Sequence, residues 1–131
     1  MPHLTIEYSA GLERRADMSA VATAAHRAML ETSIFPVAGI RVRLYRADLA
    51  IVADGLAEND FCALTLAVGA GRTTEALKAA GGVVFAAVQQ ALCAPLGTEH
   101  FALSLEIRVM NPDLSWKDTP IHARLSGQKK D

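Results

Sequence analysis

The residue with the most chemical potential is Pro2, which follows Met1 and precedes His3. Initiator methionine is generally removed before a small second residue. The mature chain would then begin on a secondary amine rather than an amide. An α-amino group titrates at about 7.7–8.0 in model peptides. Burial disfavours its charged form, and neighbouring cations lower its pKa further. A base works best when its pKa lies near the working pH. A proline nitrogen fixed at the edge of a core beside arginines can therefore act as a neutral general base. If Met1 stays on, the same nitrogen is an amide and has no basicity. Pro2 alone is weak evidence, because proline commonly follows the initiator.

The elements around it have to hold it still. Leu4-Thr5-Ile6-Glu7-Tyr8 alternates apolar and polar, the period of a half-buried strand, so the first strand is placed at His3 to Tyr8. Asp17 is a good N-cap, and Met18, Val21, Ala22, Ala25 and Met29 recur at helical spacing, which predicts a helix to about Thr32. Ile34-Phe35-Pro36 stops it. Ile40, Val42 and Leu44 alternate with Arg41, Arg43 and Tyr45 in a second strand, whose polar face carries two arginines. Ala53-Asp54-Gly55 reads as a turn.

The pattern then repeats. Phe61 to Val68 is an apolar strand, Gly69-Ala70-Gly71-Arg72 a tight loop, and Thr73 the cap of a second helix. That helix shows Leu77, Ala80, Val84, Ala87, Val88 and Ala91 on one face and is expected to end at Pro95. Gly81-Gly82 within it costs about 1 kcal/mol per glycine relative to alanine, and close approach of helix to sheet would compensate. Phe101 to Val109 is a fourth strand with Leu103, Leu105, Ile107 and Val109 inward.

The order is β-α-β twice, offset by about 59 residues. It predicts an α+β fold with a four-stranded mixed sheet, parallel strands within each unit, and both helices on one face. The units span about 2–52 and 61–110, with a tail at 111–131, in one domain of 1–131. The other face would carry Thr5, Glu7, Arg41, Arg43, Leu64, Leu66, Ser104 and Glu106. A bare face of that composition is poorly protected in a monomer, so packing on other subunits is expected. Trp116 and Ile121 could dock on a neighbour, and Ser126 to Asp131 reads as disordered.

Composition narrows the function. The 131 residues are 51% hydrophobic with net charge −1, enough for a core and without the basic stripe of a nucleic-acid binder. No apolar run approaches the roughly 20 residues that span a bilayer, and no signal peptide is visible, so a cytoplasmic protein is expected. Cys62 and Cys93 lack metal or redox spacing and read as buried or inert thiols, and the four histidines form no ligand pair. No metal site or nucleotide loop is expected.

A doubled β-α-β unit with an amino-terminal proline resembles the tautomerase superfamily. The run Met1-Pro2-His3 with Glu7, then Ile34-Phe35-Pro36-Val37-Ala38-Gly39-Ile40-Arg41-Val42-Arg43, Ala53-Asp54-Gly55 and Gly69-Ala70-Gly71-Arg72, is similar to 5-carboxymethyl-2-hydroxymuconate isomerases. The resemblance runs from Pro2 to about Ala123. It implies a homotrimer and a cofactor-free isomerase of homoprotocatechuate breakdown, acting on a dienol with three carboxylates. It also implies Pro2 as the base and Arg41 and Arg72 as substrate-binding residues. Tyr45 stands where relatives carry a histidine, a departure that bears on substrate preference.

Plainer roles exist for each residue. Arg41 could form a surface or interface ion pair with Glu7 or Glu106, Arg72 could be a solvated residue ahead of a helix, and Arg43 could form an interface salt bridge. Glu7 reads as structural, and His3 as packing, although it shares the face opposite Leu4. Two other functions remain open. One is a related enzyme on another enol acid (a phenylpyruvate-like tautomerase, a hydratase or a dehalogenase). The other is a trimeric binding protein in which Pro2 is vestigial.

Overall fold

The computed structural model describes residues 2–128. Strand β1 (His3–Ser9) is followed by a 3-10 turn at Ala10–Arg14, helix α1 (Met18–Glu31) and strand β2 (Arg41–Ala47). Strand β3 (Asp60–Val68), helix α2 (Thr74–Ala91), a short helix α3 (Cys93–Leu96) and strand β4 (Phe101–Val109) repeat the pattern, and helix α4 (Pro120–Gln128) closes it. The strand order is β2-β1-β3-β4. β1 and β2 are parallel, β3 and β4 are parallel, and the two units meet through the antiparallel β1–β3 pair. The sheet is mixed and four-stranded, with α1 and α2 on one face, as expected.

Local chemistry sets the helix ends. Asp17 accepts from the main-chain N–H groups of Ser19 and Ala20, and Thr73 accepts from that of Ala76. α1 turns Met18, Val21, Ala25, Ala28 and Met29 into the core, and α2 turns in Ala80, Gly81, Val84 and Val88. They meet Leu4, Ile6, Cys62, Leu64, Leu66 and Val68 from the sheet. A Cβ on Gly81 would lie 2.9 Å from Ile107 Cδ1, so the close approach expected of the glycine pair is real for Gly81; Gly82 faces open space.

Leu64 and Leu66 are buried in the core and do not lie on the open face. There, β3 shows Ala63, Thr65 and Ala67 instead. Residues 61–68 are apolar on both faces except for Thr65, so alternation alone gave no parity. Pro95 does not end α2. The helix stops at Ala91 with Leu92 as its C-cap, and Pro95 sits inside α3, in the first turn, where its missing N–H costs least. Cys62 is buried but Cys93 is exposed. Ser126 to Gln128 belongs to α4 rather than to a disordered end, and residues 129–131 lie outside the described residues.

A polar knot ties the far end of β1 to the start of β3. Ser9 Oγ donates to Asp60 Oδ1 at 2.7 Å and accepts from the Phe61 N–H at 3.0 Å. Arg15 Nη2 meets Asp60 Oδ2 at 2.5 Å and the Glu58 carbonyl at 2.7 Å. The buried Asp60 is thereby fully satisfied, and the β1–β3 register is fixed at the end away from Pro2. No helix among the described residues is long and apolar enough to cross a membrane.

Candidate functional site

Pro2 is fully buried at the head of β1, and its carbonyl oxygen accepts from the main-chain N–H of Arg41 at 3.1 Å. The parallel register pairs His3 with Arg41, and the antiparallel register pairs His3 with Ala67. The exit of β3, Val68 and Gly69, therefore arrives at the same end of the sheet. The N–H of Met110 donates to the Val68 carbonyl at 2.8 Å and brings the end of β4 there too. Two strands begin and two strands end around Pro2, which concentrates loop backbone and side chains at one sheet edge.

Arg41 leaves β2 on the open face, half-buried. Its Nη1 donates to the Gly39 carbonyl at 3.1 Å and lies 3.3 Å from His3 Nε2. A guanidinium can only donate, so this contact is a hydrogen bond in the neutral tautomer that leaves Nε2 unprotonated and carries the proton on Nδ1. Burial, then Arg41 and Arg43, the chain's amino terminus and Lys117, push the His3 pKa below its ordinary value. Arg41 Nε and Nη2 have no protein partner among the described residues. Within the chain Arg41 makes no ion pair with Glu7 or Glu106. Glu106 accepts from Arg108 Nε at 2.8 Å instead, because both stand on β4 two residues apart on one face.

Arg72 is held differently. Nε and Nη2 donate to the Ile34 carbonyl at 3.2 and 3.1 Å, Nη1 donates to the Gly69 carbonyl at 3.4 Å, and the guanidinium lies over the Phe35 ring, 5.0 Å from its centroid. It is not a solvated residue. It staples the loop after β3 to the segment before β2, and one N–H on each terminal nitrogen has no acceptor among the described residues. Pro2, Arg41 and the Arg72 loop are thus brought to one end of the sheet by a single chain.

Beside His3 is a cavity of about 250 Å3, lined also by Met110, Trp116, Lys117, Asp118 and Thr119. His3 was read from sequence as packing. The alternation put it on the face of Arg41, but only the strand register puts it on the guanidinium. Among the described residues no group of three or more His, Cys, Asp or Glu side chains could hold a metal ion.

Residues 2–125 match the family model of 5-carboxymethyl-2-hydroxymuconate isomerase. The chain belongs to this family. It is 33% identical over 123 residues to the 5-carboxymethyl-2-hydroxymuconate Delta-isomerase of Escherichia coli, covering 94% of this chain and 98% of that protein. A crystal structure of a 5-carboxymethyl-2-hydroxymuconate isomerase from Deinococcus radiodurans R1 is 34% identical and superposes with a TM-score of 0.87, covering 95% of this chain and 93% of that one. A fused 4-OT symmetric trimer, 18% identical over 92% of this chain and 98% of its own, shares the fold at a TM-score of 0.59. The isomerase-family match begins at Pro2 and takes in Arg41, Arg72 and the segment that closes the cavity beside His3.

Proposed function

We propose that the protein is a cofactor-independent isomerase that moves a proton within an unsaturated 2-hydroxy polycarboxylic acid, 5-carboxymethyl-2-hydroxymuconate. Pro2 serves as acid and base, and Arg41 and Arg72 bind the substrate. The observation that carries the reading is the burial of Pro2 against the main chain of Arg41 in a chain of this family.

With Met1 removed, the Pro2 nitrogen is a secondary amine in a desolvated position near a cation, the conditions that favour its neutral form. It takes the proton of the 2-hydroxyl group, the electron pair shifts through the conjugated system to form the 2-oxo group, and the same nitrogen returns a proton to a distant carbon. One O–H bond is lost and one C–H bond is made. Charge gathers on the 2-oxo oxygen and its carboxylate, where the free N–H groups of Arg41 and Arg72 supply planar, permanently charged donors. The exposed sheet face, with Thr5, Glu7, Arg43 and Tyr45, supports assembly into a homotrimer through that face.

The test is an ultraviolet assay of the dienol with Met1-free protein, checked by intact mass, beside Pro2→Ala. Rapid loss of the dienol absorbance, and a fall of at least about a hundredfold in the variant, are expected. Full activity with Met1 attached would remove Pro2 as the base. If wild type is no faster than buffer, the substrate is another enol acid or the protein is a binding module.

A further inference from the structure

We propose that His3 is a positioning residue for Arg41: its unprotonated Nε2 holds the guanidinium in place, and protonation of the ring releases it, so that substrate binding weakens on acidification. The inference rests on the reading of Arg41 as a substrate-binding residue.

The geometry is asymmetric. Arg41 Nη1 sits between two acceptors, the Gly39 carbonyl at 3.1 Å and His3 Nε2 at 3.3 Å. The carbonyl is a permanent acceptor. The imidazole is an acceptor only while neutral, and once protonated it turns an N–H and a positive charge toward the guanidinium. Losing one of two tethers frees a long side chain that otherwise points its remaining donors at the substrate.

The surroundings act in the same direction. Burial of the ring is the largest cause of its lowered pKa; Arg41 and Arg43 from β2 and Lys117 from the 111–119 segment lower it further. Asp118 is the acidic residue of the cavity lining. From β3 the paired residue is Ala67, and the end of β4 contributes Met110, neither of them titratable. Crowding a histidine with cations keeps it neutral, and therefore accepting, at neutral pH.

The folded pKa of His3 is depressed below 6.5, so the neutral ring persists until pH falls through that depressed value. The acceptor is present above it and lost below it. KM should therefore rise on the acid side while kcat follows Pro2.

Two variants and one spectroscopic measurement test this. His3→Ala is expected to raise KM about tenfold, with kcat little changed. His3→Gln, whose amide oxygen can accept from the same nitrogen, is expected to restore most of the loss and to abolish the acid-side rise in KM. Nitrogen NMR of the ring should show Nε2 unprotonated at neutral pH, and Arg41→Ala should raise the His3 pKa. An unchanged KM in His3→Ala, a fall in kcat alone, or a Gln variant no better than Ala would overturn the proposal. So would a proton on Nε2. The NMR arm needs no substrate, so if the dienol is not turned over at all, the function reading falls while the His3–Arg41 coupling is still decided.

Discussion

The main-chain N–H of Arg41 donates to the carbonyl oxygen of Pro2 at 3.1 Å. This bond is the first rung of the β1–β2 ladder, and it depends on the backbone of Arg41 rather than on its side chain. Any residue other than proline at position 41 keeps that N–H and can hold Pro2 in place. The two arginines proposed to bind substrate therefore separate by experiment.

Arg41→Ala should raise KM about tenfold or more and leave the melting temperature nearly unchanged, because its side chain lies half-buried on the open face. Arg72→Ala should raise KM and also destabilise by about 1–2 kcal/mol. It removes the clamp on the Ile34 and Gly69 carbonyls and the stacking on Phe35. Steady-state kinetics and thermal melts of the two variants, side by side, check the contrast. Equal loss of stability in both would remove the staple role of Arg72.

Asp60→Ala should cost about 2–3 kcal/mol and leave kcat unaltered. The carboxylate accepts from Ser9 and pairs with Arg15 while only 5% exposed, so its removal strands two polar partners. The knot lies at the end of β1 opposite Pro2. Urea denaturation measures the loss, and an assay well below the transition shows whether the distant site is spared.

The two helix glycines should respond with different magnitudes. Gly82→Ala meets nothing within 4 Å and should stabilise by about 1 kcal/mol through helix propensity. Gly81→Ala gains the same propensity but places its Cβ 2.9 Å from Ile107 Cδ1, so that side chain must turn away from α2. Its net stabilisation should be smaller or negative. Chemical denaturation of both variants decides the order.

Native protein should yield one reactive thiol per chain, and denatured protein two. Cys93 is exposed, whereas Cys62 is 1% exposed and burial pushes its pKa up to about 12. The thiol form of Cys62 is favoured in the folded state. Its contribution to stability is full below the ordinary value of 9.0 and is lost as pH rises from there toward 12. Titration with a chromogenic thiol reagent, with and without denaturant, counts the groups. Rapid native labelling of Cys62 would contradict the burial.

Much of the fold was legible in local pattern. The caps at Asp17 and Thr73, the helical spacing of Val21, Ala25 and Met29, and the alternation of Leu4 with Ile6 each express a rule of a few residues' range. The repeat of strand, helix and strand follows from them, and the linear order Pro2, Arg41, Arg72 was visible with the Gly-Ile-Arg and Gly-Ala-Gly-Arg segments around it. Where the local rule was silent, the reading failed. β3 is apolar on both faces, so parity placed Leu64 and Leu66 wrongly, and Pro95 was taken as a stop although a short helix accommodates it in its first turn.

The sequence by itself determined the four strands and the two long helices, because capping, periodicity and turn chemistry act between near neighbours. Tertiary structure alone decided which residues meet. The pairing of His3 with Arg41 on one side and with Ala67 on the other is a register between segments tens of residues apart, set by burial of the whole sheet face rather than by any local preference. That register makes His3 a neighbour of the Arg41 guanidinium. It also brings the Arg72 loop to the head of β1, where Pro2 is buried.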